Sequence, residues 1–127
     1  MLYPKMVGKL AEYCKTELGI ESVSIVTNGS KVTERFLQTY GKFIDIIAIS
    51  CDSFNEGTNI KIGRGKGDHL QHITRLRELC KKYDIKFKIN SVINRYNFDE
   101  DMRGTIEQIK PFRWKCFQVM TYDIHHH

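Results

Sequence analysis

Short apolar runs alternate along this chain with longer stretches of helical periodicity. Four runs rich in β-branched and aromatic residues predict strands, at residues 22–27, 43–50, 86–93 and 112–120. Between and before them, apolar residues recur every three or four positions, which predicts helices at residues 3–18, 32–40, 68–83 and 100–109. This alternation predicts βαβ units, in which the strands are parallel and the crossovers right-handed.

Local signals set the expected ends of these elements. Ser30, Asp68 and Asp99 are each predicted to cap the helix that follows them. The glycine-rich, polar segment 51–67 is predicted to be a long loop. The first helix is predicted to place five apolar residues on one buried face: Val7, Leu10, Ala11, Cys14 and Leu18.

The bulk composition bounds the class of protein. With 127 residues, no internal repeat and no linker-like stretch, the chain is expected to be one domain or part of one. Its net charge of +5 fits an anionic ligand, a nucleic acid or simply a solvated basic surface. No apolar run approaches the ~18 residues of a membrane span, and no secretory signal is visible, so an intracellular protein without a membrane segment is expected.

The cysteines and histidines form no recognisable metal motif. Four cysteines lie far apart and are expected to be reduced thiols, at positions 14, 51, 80 and 116. His69 and His72 are expected to be surface or cap histidines. Residues 125–127 are expected to be a tail rather than a metal site.

Polar residues follow each predicted strand, where parallel α/β folds bind their ligands. These candidates are Asn28, Ser30, Ser50, Asp52, Asn94 and Gln118. Each of them alone could equally be an ordinary turn or cap residue. Their repetition at four strand ends predicts one shared site.

Basic residues add a second set of candidates. Arg64 and Lys66 lie in the glycine-rich segment 62–69, which lacks the Walker pattern but could bind an anion through its amides and charges. An exposed loop or a nucleic-acid arm is the alternative. Lys88, within the third predicted strand, either faces inward toward an anionic ligand or lies at a solvated edge, and the pattern leaves both open.

Five segments together resemble the viperin family of radical S-adenosylmethionine (SAM) enzymes, from about Tyr3 to Val119. They read SVSIVTNGS, DIIAISCDSF, IGRGKG, FKINSVINRYNFDEDM and PFRWKCFQV. The resemblance implies a partial (βα)6 barrel, a four-iron–four-sulfur cluster held by a CxxxCxxC loop, and cleavage of SAM to a 5′-deoxyadenosyl radical. It also implies conversion of CTP to 3′-deoxy-3′,4′-didehydro-CTP in antiviral innate defence, at the endoplasmic reticulum or lipid droplets.

The chain departs from the family pattern because it contains neither the cysteine loop nor the GGEP segment. Residues 1–124 are therefore expected to be part of a radical SAM core, from about its second helix to its sixth strand, with roughly four parallel strands. Such a piece is expected to be inactive alone. A complete enzyme would need an electron donor and iron–sulfur assembly factors. The rivals are a non-catalytic nucleotide- or anion-binding remnant and a basic RNA-binding module.

The resemblance also implies roles for individual positions, with no catalytic residue, no metal ligand and no direct nucleic-acid contact expected in this chain. Residues expected beside SAM are Asn28, Ser30, Ser50 and Asp52, with Val92 and Ile93 packing against its adenine largely through their backbone. Residues expected to face the CTP triphosphate are Arg64, Lys66 and Lys88.

Overall fold

The computed structural model describes residues 3–62 and 69–118 of the chain. The helices are α1 (Pro4–Thr16), α2 (Glu34–Tyr40), α3 (Glu56–Ile62), α4 (His69–Lys82) and α5 (Arg103–Ile109), and a single 3₁₀ turn, Gly41–Phe43, follows α2. The strands are β1 (Ser24–Thr27), β2 (Ile46–Ser50), β3 (Lys86–Ile93) and β4 (Arg113–Gln118). None of the described helices has the length and apolarity that crossing a membrane would require.

All four described strands are parallel and lie in chain order, β1-β2-β3-β4. Each strand therefore pairs with the next one along the chain, with a helical crossover between them, as in a segment of a barrel wall. The predicted α/β class and parallel sheet are confirmed.

One face of this sheet packs against the helices. Ile47, Ile49 and Ile89 are completely buried on that face, and Leu37 of α2 and Leu76 of α4 cover them. Burying each such side chain contributes roughly 1.5–3 kcal/mol to the free energy of unfolding. This apolar layer holds the strands in register and so fixes the edge where they end.

The opposite face, here called the open face, follows from the alternation of side chains along each strand. It carries Ser24 and Val26 of β1, Ile46, Ala48 and Ser50 of β2, Lys86, Lys88, Asn90 and Val92 of β3, and Arg113, Lys115 and Phe117 of β4. Val26 is 62% exposed and Phe117 38% exposed, so apolar and cationic groups share this surface.

The segment predicted to be a long loop contains helix α3 instead. Asn55 accepts a hydrogen bond from the Thr58 amide at 3.0 Å, which starts the helix. The buried amide of Asn59 donates to the Ser53 carbonyl at 2.8 Å and holds the helix against the chain that follows β2. The prediction was wrong because these polar contacts, rather than an apolar stripe, anchor α3.

Two predicted caps were also wrong. Thr33, not Ser30, caps α2, with its hydroxyl accepting from the Phe36 amide at 3.1 Å. Helix α5 begins at Arg103 behind Met102, which makes no side-chain cap, so Asp99 does not cap it. Local hydrogen bonds of several residues compete for these roles, and sequence alone does not rank them. The predicted cap Asp68 lies outside the described residues.

The predicted apolar face of α1 is only partly buried. Leu10 is 60% and Leu18 56% exposed, so both were wrongly assigned to the core. The helix packs through small residues instead: Ala11 is buried, and a Cβ added at Gly8 would lie 2.3 Å from the Tyr40 ring. Close contact through small residues lets α1 approach α2 without the leucines.

Candidate functional site

The carboxyl ends of β1 to β4 lie along one edge of the sheet because the strands are parallel and adjacent. The strands end there at Thr27, Ser50, Ile93 and Gln118. The residues predicted to share a site therefore follow neighbouring strands along one edge. Gln118 ends β4 with its side chain exposed, while the Asn94 carboxamide oxygen accepts from the Tyr96 amide at 2.8 Å in the turn after β3.

The turn after β1 exposes Asn28 and Ser30. The Asn28 carboxamide oxygen accepts from the Ser30 amide at 3.0 Å and from its hydroxyl at 2.8 Å. Between them Gly29 has φ +92°, a conformation that favours glycine. Arg75 of α4 donates to the carbonyls of Gly29 at 2.9 Å and Val32 at 2.7 Å. The turn is thus fixed from the helix layer while its polar groups face outward.

Asp52 is 3% exposed, and its carboxylate accepts from the Val92 amide at 2.8 Å. This bond ties the chain after β2 to the end of β3. A hydrogen bond to a charged acceptor is stronger than one between neutral groups. Asp52 is therefore buried and holds the ends of β2 and β3 together. Ser50, in contrast, lies half-buried on the open face.

The backbone of Val92 is already engaged. Its carbonyl accepts from the side-chain amides of Asn97 at 2.9 Å and Asn94 at 3.3 Å, and its N–H goes to Asp52. Any contact of Val92 with a ligand would thus be made by its half-buried side chain on the open face. Ile93 is half-buried and ends β3 opposite Gln118.

Two residues outside the predicted set, Asn97 and Glu100, complete what we call the rim latch, together with Asp52. Asn97 is 1% exposed; its amide also donates to the Asp52 carbonyl, and its oxygen accepts from the Asn94 amide at 2.7 Å. The Glu100 carboxylate accepts from the Ser53 hydroxyl and from the Phe54 amide at 2.9 Å. The only sequence signal was the density of Asn and acidic residues after β3, which does not reveal partners over 40 residues away.

Three cations lie in two adjacent rows of the open face, across β3 and β4. Lys88 is half-buried and lies beside Arg113, and Lys115 lies beside Asn90 in the next row. The Lys115 ammonium is 5.0 Å from the centre of the Phe117 ring. Within residues 3–62 and 69–118, Lys88, Arg113 and Lys115 form no ion pair with a carboxylate. The two β4 cations were missed, although the alternation in RWK could have shown them on one face.

The basic loop residues Arg64 and Lys66 lie outside the described residues. The helix that follows them is fixed at the strand edge, because the His69 Nε2 lies 2.8 Å from the Ser50 carbonyl oxygen. His69 is 3% exposed, so of the two expected roles, surface histidine or cap histidine, the surface role is wrong for it. His72 is half-buried.

No group of three or more His, Cys, Asp or Glu residues in the described part of the chain could hold a metal ion. Burial raises the pKa of the Cys51 and Cys80 thiols to about 12. Metal binding requires thiolates, so these two cysteines are poor ligands. The described residues do not fit an iron–sulfur cluster.

Comparison with known proteins places these features in a family context. The model of the radical SAM superfamily matches residues 1–109. A rainbow trout (Oncorhynchus mykiss) protein named S-adenosylmethionine-dependent nucleotide dehydratase RSAD2 is 54% identical over 119 residues, covering 92% of this chain. A zebrafish (Danio rerio) protein of the same name is 52% identical over 116 residues, 90% of this chain. An S-adenosylmethionine-dependent nucleotide dehydratase from a Thermoplasmatales archaeon is 38% identical over 119 residues, 93% of this chain and 43% of its own length.

The matches cover only part of these relatives. The chain spans 34% of the length of the trout protein and 32% of that of the zebrafish protein. It therefore corresponds to about a third of the fish relatives.

Proposed function

This chain belongs to the radical SAM superfamily, and from that premise we propose that it forms the nucleotide-facing part of a SAM-dependent nucleotide dehydratase. The observation that carries the proposal is the group of cations on the open face, which form no ion pair with a carboxylate among the described residues and lie at, or one row below, the level where β2 ends. Cations next to a strand edge suit a ligand with a polyphosphate and a sugar. The names of the matched relatives support the same reaction class.

We propose that the SAM side of the site lies at the ends of β1 and β2. Asn28 and Ser30 offer exposed polar groups there, and Ser50 offers a hydroxyl on the open face. Val92 and Ile93 would pack against the adenine. Asp52 would act on this contact indirectly, by holding the Val92 backbone.

The nucleotide side is proposed to lie across β3 and β4. Lys88, Arg113 and Lys115 would neutralise the phosphates, and a guanidinium can contact two phosphate oxygens at once. Arg64 and Lys66 are proposed to join them from the loop before α4. The family resemblance favours CTP as the nucleotide, an antiviral role, and location at the endoplasmic reticulum or lipid droplets.

Cofactor chemistry would come from elsewhere in the enzyme. The radical SAM family implies SAM and a four-iron–four-sulfur cluster, which would supply one-electron chemistry to the whole enzyme. Because the described residues do not fit a cluster, we propose that its cysteine ligands lie outside residues 3–62 and 69–118. An electron donor and cluster-assembly factors would serve the whole enzyme. Residues 1–124 would be a portion of its core domain, from about the second helix to the sixth strand.

A segment exchange tests this proposal. The 119-residue segment of the trout protein that matches this chain would be replaced by this chain, and the chimera loaded with its cluster under anaerobic conditions. With SAM, a reductant and CTP, we expect 5′-deoxyadenosine and a nucleotide lighter by one water, both followed by mass spectrometry. The unmodified trout protein is the control. A folded, cluster-loaded chimera that forms neither product would refute the proposal.

The basic face also favours a second candidate, an RNA-binding module. Electrostatic binding to RNA weakens steeply as salt rises and does not respond to SAM. Measuring binding of a single-stranded RNA and of CTP to the same chimera separates the two functions. Tight RNA binding that CTP does not displace would favour the second candidate.

A further inference from the structure

We propose that Asn90 hydrogen-bonds a secondary hydroxyl of the nucleotide's ribose and so selects ribonucleotides. This inference rests on the proposed function, because it assigns a residue to the nucleotide side of that site. The proposed function assigns the cations of the open face to the phosphates. Asn90 would add selectivity for the sugar.

Asn90 lies on the open face in the row where β2 ends, one row before Val92 and Phe117. Ser50 of β2 is its neighbour on one side and Lys115 of β4 on the other. Its carboxamide oxygen is shielded from solvent and accepts no hydrogen bond from any residue that the structure describes. A buried acceptor without a donor is unfavourable, and native proteins keep few of them without a functional reason.

The other buried asparagines show what a structural carboxamide does in this fold. Asn97 uses both ends of its side chain in the rim latch. Asn59 also has an oxygen without a partner, but its amide donates to the Ser53 carbonyl and to Glu56. Among the described residues, Asn90 alone of these three has no side-chain hydrogen bond. Its carboxamide is therefore not needed to hold two elements together.

The chemistry of the neighbours indicates the ligand group. Phosphate oxygens at neutral pH only accept hydrogen bonds, so a phosphate satisfies Lys88 and Arg113 but not the Asn90 oxygen. A hydroxyl donates one hydrogen bond and can also accept from the Asn90 amide. Adjacent rows on one strand face are about 6.6–6.8 Å apart, a span that one sugar ring can bridge between its phosphate and a secondary hydroxyl. The terminal side-chain torsion of asparagine is soft. A half-turn about it exchanges the positions of the oxygen and the amide nitrogen, so that either of them can face the ligand.

The test uses the chimera with Asn90→Leu, which has a similar shape but no polar atoms. We expect binding of CTP to weaken about tenfold or more, and binding of inorganic tripolyphosphate to change less than about twofold. The unmodified chimera should bind 2′-deoxy-CTP or 3′-deoxy-CTP more weakly than CTP, and Asn90→Leu should abolish that difference. Calorimetric titration with each of the four probes, and with SAM, provides the readout.

Stability measurements separate a ligand role from a structural one. Asn90→Leu should leave the melting temperature unchanged or raise it, whereas the control Asn59→Leu should lower it, because it removes hydrogen bonds to Ser53 and Glu56. If Asn90→Leu does not fold, Asn90→Ala gives the same binding comparison. The inference is overturned if CTP affinity is unchanged, if tripolyphosphate affinity falls equally, or if only SAM binding is lost. If the unmodified chimera binds no nucleotide, the proposed function itself fails instead.

Discussion

Gly29 fixes the turn that presents Asn28 and Ser30. Its φ of +92° is accessible mainly to glycine, and a Cβ there would lie 2.7 Å from the Ile49 side chain. Backbone geometry and core packing therefore both specify glycine. The exposed polar groups of this turn depend on a residue that has no side chain.

Replacing Gly29 with alanine should lower the free energy of unfolding by about 1 kcal/mol or more, through backbone strain and the clash with Ile49. Urea unfolding measures the change. Gly104→Ala is the matched control, because nothing lies within 4 Å of its added Cβ and it sits in α5. Gly104→Ala should raise the free energy of unfolding by roughly 0.5–1 kcal/mol. Equal effects at the two glycines would contradict the assignment of Gly29.

The cysteines should differ in reactivity. Burial raises the pKa of Cys51 and Cys80 to about 12, while Cys116 is exposed and desolvation raises its pKa as well. The thiolate is the reactive form, so native alkylation at pH 8 should label Cys116 but spare Cys51 and Cys80. Labelling of Cys116 should speed up as the pH rises toward its pKa.

Peptide mass spectrometry after iodoacetamide treatment checks this pattern, and a sample in denaturing urea should be labelled at all four cysteines. Rapid native labelling of Cys51 would mean that the chain after β2 opens far more readily than its burial indicates.

At the scale of single residues, the sequence identified the type of group at each strand end but not its direction. The place of Asp52 beside SAM stays a prediction, and the sequence did not indicate that its carboxylate accepts from the Val92 amide. Lys88 could not be assigned to either face until the register with Arg113 was known. Partners distant in the chain decide these directions, and neighbouring residues do not encode them.

Asp45 connects α1 with the segment that enters β1. Its carboxylate accepts from the Val23 amide at 2.7 Å and lies 2.7 Å from the Lys15 ammonium. Burial acts to raise the pKa of Asp45, but the hydrogen bonds from Lys15 and Val23 outweigh it and hold the pKa below its ordinary value of 3.8. The resulting stabilisation is present above pH 3.8 and is lost as the pH falls through the lowered pKa.

Asp45→Asn should therefore destabilise the protein at pH 7 by about 1 kcal/mol or less, since the pair is partly exposed. Below the pKa of Asp45 in the folded protein, the variant and the parent should have nearly the same free energy of unfolding. Chemical unfolding at pH 7 and in acid below the folded-state pKa of Asp45 gives the comparison. A gap of the same size at both pH values would exclude an electrostatic cause.

The rim latch makes the ends of β2 and β3 one unit. Asn97→Ala removes three hydrogen bonds in a buried position and should lower the free energy of unfolding by about 1–3 kcal/mol. Hydrogen exchange should accelerate more at the Val92 amide than at that of Ile89, which lies deeper in the strand. The same acceleration at both amides would indicate global destabilisation rather than a local role.

Whole strands were more predictable than helix ends. The limits of β3 agree with the sequence prediction because its apolar alternation is long and bounded by polar turns. Helix α3 and the start of α2 were missed because Asn55, Asn59 and Thr33 determine them through hydrogen bonds that leave no hydrophobic period. Packing against neighbours also decided the burial of α1, where Gly8 and Ala11 replaced the leucines at the contact.

The molecule as a whole divides its sheet into an apolar side and a basic side. Helices and core residues cover the first, while Lys88, Arg113 and Lys115 occupy the second. The net charge of +5 is thus partly concentrated on the open face, near the level where β2 ends. Such a surface raises the local concentration of anions.

In the chimera, Lys88→Glu should weaken CTP binding by about tenfold or more if the proposed function holds, since it would replace a cation proposed to face the phosphates with a repelling anion. Lys81→Glu makes the same charge change on the exposed surface of α4 and should have only a small effect. Titrations at low and high salt should show the two variants converging as screening grows. Equal losses in both variants would point to net charge rather than to a site.

At this scale the sequence predicted the parallel order and the shared edge, because βαβ units permit few alternatives. It did not predict which residues share the open face across strands. Arg113 and Lys115 join the site only through the register of β4 on β3, and that register depends on packing against Trp114 and the core beneath.

The contact between His69 and the Ser50 carbonyl has a consequence for how α4 is attached to the sheet. A carbonyl oxygen only accepts, so the imidazole nitrogen that faces it must carry hydrogen. The first residue of α4 is therefore joined to the last residue of β2 by a donor of fixed direction. A side chain without an N–H or O–H donor at this position would lose that attachment.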